Sequence, residues 1–163
     1  MNIPSDTDTR QSKHLLRVET PQLHIPQTLT GRRLQKHADY QRAYAASRKR
    51  QSASMSWFLA LREAGGSSPA AAVRVGLTVG KVIGKAHERN RIKRRMREAL
   101  RRHVDLLPEG CDLIFHPRRI LLTMEFAKLE AEVVRILHQA HAEVKRMAQV
   151  SAVHPGAPAK PTV

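Results

Sequence analysis

Aromatic side chains are scarce in this chain: one Trp, two Tyr and three Phe make up 4% of its 163 residues. Each ring is therefore informative by its placement. Cysteine is scarcer still, and the single Cys111 excludes both an internal disulfide and a zinc site built on thiolates. Set in the apolar run CDLIF, it reads as a small core residue rather than a nucleophile. Acids are outnumbered, 14 against 29 Lys and Arg, and they are scattered. No carboxylate pair is spaced for acid–base work, and Glu88 and Glu98 stand among arginines that keep them ionised. His138 and His141 share a helical spacing but lack a third ligand, so neither a protein-borne metal site nor a catalytic residue is expected. No run is long and apolar enough to cross a bilayer, and the opening MNIPSDTDTR lacks the basic-then-apolar order of a secretion signal. A cytoplasmic protein without a membrane partner is expected. The glycines of GLTVGKVIGK fall short of a phosphate loop: Gly76 and Gly80 enclose three residues where four are needed, and neither Lys81 nor Lys85 precedes a Ser or Thr.

What the chain has is positive charge. A formal net charge of +15 favours a polyanionic partner. The length allows one domain of about 100 to 120 residues plus tails. The chain divides into a polar, Pro-containing leader at 1–31, a basic domain at 32–150 and a tail at 151–163.

The charge is densest in KAHERNRIKRRMREALRRH, where nine Lys and Arg between Lys85 and His103 face only Glu88 and Glu98. On a helix, Ile92, Met96, Ala99 and His103 form an apolar stripe, and Asn90, Arg94, Arg97 and Arg101 gather on the opposite side. Glu88 falls in the first turn, where the helix dipole favours an acid, and Glu98 is placed to pair with Arg94 and Arg102. An arc of arginine tolerates self-repulsion unless an anion relieves it, and the planar guanidinium suits phosphates and base edges.

Around this helix, Leu34 to Ala45 has the spacing of a short helix carrying Tyr40 and Tyr44 on one face, and Ser47 to Ser54 reads as a loop. Met55, Trp57, Leu59 and Leu61 alternate as a strand with Phe58 and Ala60 on its other face. Val73, Val75, Leu77 and Val79 form a second strand, whose bare Gly76, Thr78 and Gly80 face lets something large approach. A turn is expected at Gly65–Pro69. Cys111 to Phe115 reads as a buried strand, and Thr123 as the N-cap of a last helix with Leu129, Val133, Ile136, Leu137, Ala140 and Val144 inward. Tyr40, Tyr44 and Phe58 either cover the sheet as core or offer stacking faces to single-stranded nucleic acid, and the sequence leaves both open.

The run RVGLTVGKVIGKAHERNRIKRRMREALR, Arg74 to Arg101, strongly resembles the signature of the bacterial ribonuclease P protein subunit, a Gly-Leu strand and a Lys followed by Arg-Asn-Arg-x-Lys-Arg. The likeness extends upstream to about Arg33, where Asp39 to Tyr44 resembles the family's first helix, and downstream to about Met147. The resemblance implies an α/β (α+β) two-layer sandwich with a central, mostly antiparallel sheet and a left-handed β-α-β crossover carrying the Arg-rich helix. It implies a protein cofactor of an RNA enzyme, monomeric and bound one to one with the catalytic RNA subunit. That endoribonuclease hydrolyses one phosphodiester of precursor tRNA to release the 5′ leader, with catalysis in the RNA and Mg²⁺ held mainly by RNA subunit and substrate. By the same resemblance Arg89, Asn90, Arg91, Lys93, Arg94, Arg97 and Arg101 contact the RNA subunit, while Tyr40, Tyr44, Phe58, Arg74, Thr78 and Lys81 line the leader cleft. Val82 stands where the family often has a second Lys. A ribosomal or other RNA-binding protein is the rival reading, which the signature disfavours. A protein cleaving RNA by itself would need a catalytic pair that is not found.

Overall fold

The computed structural model describes residues 29–62 and 73–153. The expected turn at Gly65–Pro69, most of the 1–31 leader and most of the 151–163 tail lie outside the described residues. The chain forms α1 (His37–Ala46), β1 (Lys49–Gln51), β2 (Met55–Leu61), β3 (Arg74–Leu77), α2 (Ala86–Arg102), β4 (Cys111–Pro117) and α3 (Phe126–Val153), with short 3-10 turns between some of them. The strands join in the order β1-β2-β4-β3. β2 runs antiparallel to both its neighbours, and only β3 and β4 are parallel, joined through α2 as a β-α-β unit.

Period-2 alternation gives the sheet two different faces. Met55, Trp57, Leu59, Cys111, Leu113 and Phe115 point to one side, where they meet Ile92, Met96, Ala99 and Leu100 of α2 and the Leu129–Ala140 stripe of α3 in the main core. Removing each such aliphatic side chain from water contributes about 1.5–3 kcal/mol before entropy is counted. On the other side Ala60 and Ile114 meet Leu34 and Ala43, with Tyr40, Tyr44 and Phe58 half-buried around them. The mixed sandwich is as expected, with α1 on the opposite face from α2 and α3.

Three local expectations are corrected. The segment read as a loop contains β1, because Lys49, Arg50 and Gln51 pair with Phe58, Trp57 and Ser56, a tertiary contact that a polar tripeptide does not announce. Thr123 is not the cap of the last helix, which starts at Phe126; its hydroxyl donates to the Ile120 carbonyl at 3.4 Å. That helix continues to Val153. The strand at Val73–Val79 is regular only over Arg74–Leu77, although Val79 stays buried beyond it.

Candidate nucleic-acid interface

Helix α2 starts where Gly84 takes φ of 153°, a conformation that favours glycine. A Cβ there would also collide with a Glu88 carboxylate oxygen. Glu88 accepts from the Lys85 amide at 2.7 Å and from Arg119 at 2.9 Å. The amide hydrogen bond, with the neighbouring cations, holds its carboxyl below the ordinary range. Ile92, Met96 and Ala99 of the expected stripe are buried, joined by Leu100, whereas His103 is only half-buried at the helix end and meets Glu130 at 3.0 Å. Asn90, Arg91, Arg94, Arg97 and Arg101 face outward.

The cations of this helix divide by partner. Arg101 holds Glu98 through two hydrogen bonds of 2.8 and 3.0 Å, Arg102 adds a third at 3.0 Å, and these take the carboxyl down to about 2. Arg101 thus replaces Arg94 as the expected partner of Glu98. Among the described residues, neither Arg94 nor Arg97 meets a carboxylate. Arg95 turns inward, its guanidinium donating to the carbonyls of Leu121 and Met124. The Nε of Arg89 is buried with no hydrogen-bond partner among the described residues. Lys93 is half-exposed, at the edge of a hollow beside β3.

On the other face of the sheet, α1 covers one part and leaves a trough of rings beside it. Tyr44 and Phe58 stand 5.0 Å apart between centroids, edge to face, and His116 lies 5.6 Å from Tyr44 and 5.1 Å from Phe58. The Tyr44 hydroxyl is hydrogen-bonded to His116 Nε2 at 2.7 Å and to Thr78 Oγ1 at 3.3 Å. Burial lowers the His116 pKa, and the Lys49 cation lowers it further. Tyr40 stands 6.3 Å from Tyr44 between centroids, with its ring directly over Gly76, where a Cβ would lie only 2.7 Å from the ring edge. Its hydroxyl donates to the Leu34 carbonyl at 3.4 Å, and burial raises its pKa. The large group that the bare strand admits is therefore this chain's own Tyr40, and Tyr44, Phe58 and His116 cluster beside it, the three rings Tyr40, Tyr44 and Phe58 being alike half-buried.

Arg74 crosses the base of this face. It forms a two-pronged pair with Asp112 at 2.7 and 2.8 Å and reaches Asp39 of α1 at 2.9 Å. Its guanidinium is engaged by both carboxylates, so it braces α1 against β3 and β4. Lys81 is exposed in the 3-10 turn Lys81–Ile83 that follows β3. Among the described residues no three His, Cys, Asp or Glu side chains converge as a metal cage, and no helix is long and apolar enough to cross a membrane.

A family model described as Ribonuclease P matches residues 30–141. The chain belongs to that family. The protein named Ribonuclease P protein component from Chloroflexus aggregans is 42% identical over 69 residues, 42% of this chain and 51% of that protein. Its namesake from Thermotoga maritima is 39% identical over 62 residues, 38% of this chain and 52% of that protein. The match thus spans about half the length of these curated relatives. The solved RNase P protein of Staphylococcus aureus superposes with a TM-score of 0.57 at 25% identity, covering 67% of this chain and 94% of that one. That of Thermotoga maritima gives 0.57 at 24%, covering 66% and 96%, a likeness of fold.

Within the Ribonuclease P fold, the seven signature positions lie on one helix and the ring trough lies across the sheet from it. Two trough residues escaped the sequence reading. His116 was legible, since extending the alternation of CDLIF by one residue puts it on the face of Asp112 and Ile114. Lys49 was not, because only its register opposite Phe58 brings it there.

Proposed function

We propose that the chain is the protein subunit of a ribonuclease P, binding a catalytic RNA through α2 and the 5′ leader of precursor tRNA in the Tyr44–Phe58–His116 trough. The observation that carries this reading is the pair Arg94 and Arg97, exposed on the signature helix with no carboxylate opposite them among the described residues. Cations left in this state are relieved by phosphates. The trough adds flat faces next to Thr78 and the Lys49 cation, a mixture suited to unpaired nucleotides. In this reading the RNA performs the endonucleolytic phosphodiester hydrolysis and, with the substrate, holds Mg²⁺. The chain acts as a cytoplasmic monomer, one per RNA. The family likeness also supports a left-handed sense for the β3–α2–β4 crossover.

The decisive assay is cleavage of precursor tRNA by the cognate RNA subunit at low Mg²⁺, with and without the protein, mapping the product 5′ end. Restored cleavage at the mature end is expected; tight RNA binding that changes neither rate nor site overturns the reading. Within that assay Tyr44→Ala is expected to weaken binding of leader-bearing precursor more than of mature tRNA, by about 1–3 kcal/mol for one lost stacking contact. Equal loss for both substrates removes Tyr44 from the leader site.

A further inference from the structure

A hollow of about 110 Å³ opens where the outer edge of β3 meets α2. Val75 and Leu77 of β3 and Leu100 of α2 give it an apolar floor, and the rim carries Arg33, Lys93 and Arg97, with no carboxylate in the lining among the described residues. Tyr40 closes one wall, held by its hydroxyl to Leu34 and seated on Gly76. Among the described residues the outer edge of β3 is partnered at Val75 alone. There Leu34 N–H donates to the Val75 carbonyl at 2.9 Å, and Val75 N–H donates to the Arg32 carbonyl at 2.6 Å.

The chemistry narrows the occupant. A wholly apolar group gains nothing from three cations at the mouth, and a bare anion gains nothing from the aliphatic floor. A nucleotide satisfies both, with a flat ring of low polarity and a phosphate attached to it. At about 110 Å³ the open hollow is smaller than the apolar cavity of about 150 Å³ known to take benzene, so it seats the edge of one ring and leaves the rest outside the mouth. Lys93 and Arg97 stand one helical turn apart on α2, beside the outward arc that holds Arg94. We propose that this hollow receives a single unstacked base of the catalytic RNA, with Lys93 and Arg97 on the flanking phosphates. The inference rests on reading α2 as the RNA-subunit face.

The test fills the hollow without touching its charges. Leu77→Phe places a ring in the cavity, and a thermal melt establishes that the variant folds. It is expected to lose at least tenfold in affinity for the RNA subunit with an unchanged log–log salt slope. Wild-type affinity for Leu77→Phe overturns the inference, whereas failure of the parent protein to bind the RNA subunit at all overturns the proposed function instead. If Leu77→Phe does not fold, the full-length parent chain is titrated with uridine 5′-monophosphate and, separately, with inorganic phosphate, following methyl NMR signals. Val75, Leu77 and Leu100 methyls are expected to shift with the nucleotide alone. Equal shifts with phosphate, no shifts, or contacts from residues 1–28 to these methyls in the free protein each overturn it.

Discussion

Tyr40 and Gly76 depend on each other, because the ring lies where a β-carbon on the strand would stand, at 2.7 Å. Gly76→Ala is therefore expected to destabilise the protein by about 1–3 kcal/mol, the usual cost of forcing extra atoms into a packed contact. In a Tyr40→Ala background the same substitution costs much less, and a double-mutant cycle in denaturant measures the difference. Additive effects would separate the two residues. His116 makes a different prediction, from protonation. Burial and the Lys49 cation depress its pKa, so the unfolded chain takes up the proton more readily. Stability then falls as pH drops from about 6.5, the ordinary histidine value, toward the lower folded one, and levels off below it. His116→Gln removes that loss, so its melting temperature is expected to fall less than the parent's between pH 7.5 and 5. Parallel melting curves would mean that the imidazole is not held neutral.

At the scale of the element, α2 does two jobs with one residue type. Arg94 and Arg97 face outward, and replacing both by Ala is expected to change stability by less than about 0.5 kcal/mol. The same double variant flattens the salt dependence of RNA binding by about 0.7–0.9 per lost phosphate contact. Arg95 differs by one position and points at the Leu121 and Met124 carbonyls, tying the helix to the turn before α3. Arg95→Ala is expected to cost about 1.5–3 kcal/mol of stability while leaving the salt slope intact. Paired urea melts and salt titrations check both. The β1–β2 connection is held from outside by Glu132 of α3, which accepts from the Ser54 amide at 3.0 Å and from the hydroxyls of Ser52 and Ser54. Burial pushes that carboxyl up, but these hydrogen bonds outweigh it and leave it below the ordinary range. An interaction between residues this far apart in the chain explains how the polar segment Ser47–Ser54 holds a strand that its composition conceals.

For the molecule as a whole, Cys111 is a reporter placed by the fold. It is fully buried, and burial above all pushes its thiol to about 12. Alkylation is thus expected to be slow in the native protein, and its rate to rise with denaturant as global unfolding does. Rapid labelling in buffer would show local opening of β4 instead. The +15 charge, the Arg-rich helix, strands β2 and β4 and the inward stripe of α3 were all written in the sequence. Charge is additive, and periods of 2 and 3.6 follow from backbone geometry alone. Tertiary structure decided what periodicity cannot encode: which arginines remain available and which are engaged, that Tyr40 seals Gly76 while Tyr44 faces the trough, and that Lys49 and His116 join it. Those outcomes depend on pairs drawn from distant parts of the chain, Arg74 with Asp39 and Asp112, Glu132 with Ser54, and Tyr44 with His116. Sequence determines the faces each element carries, and packing determines which faces meet.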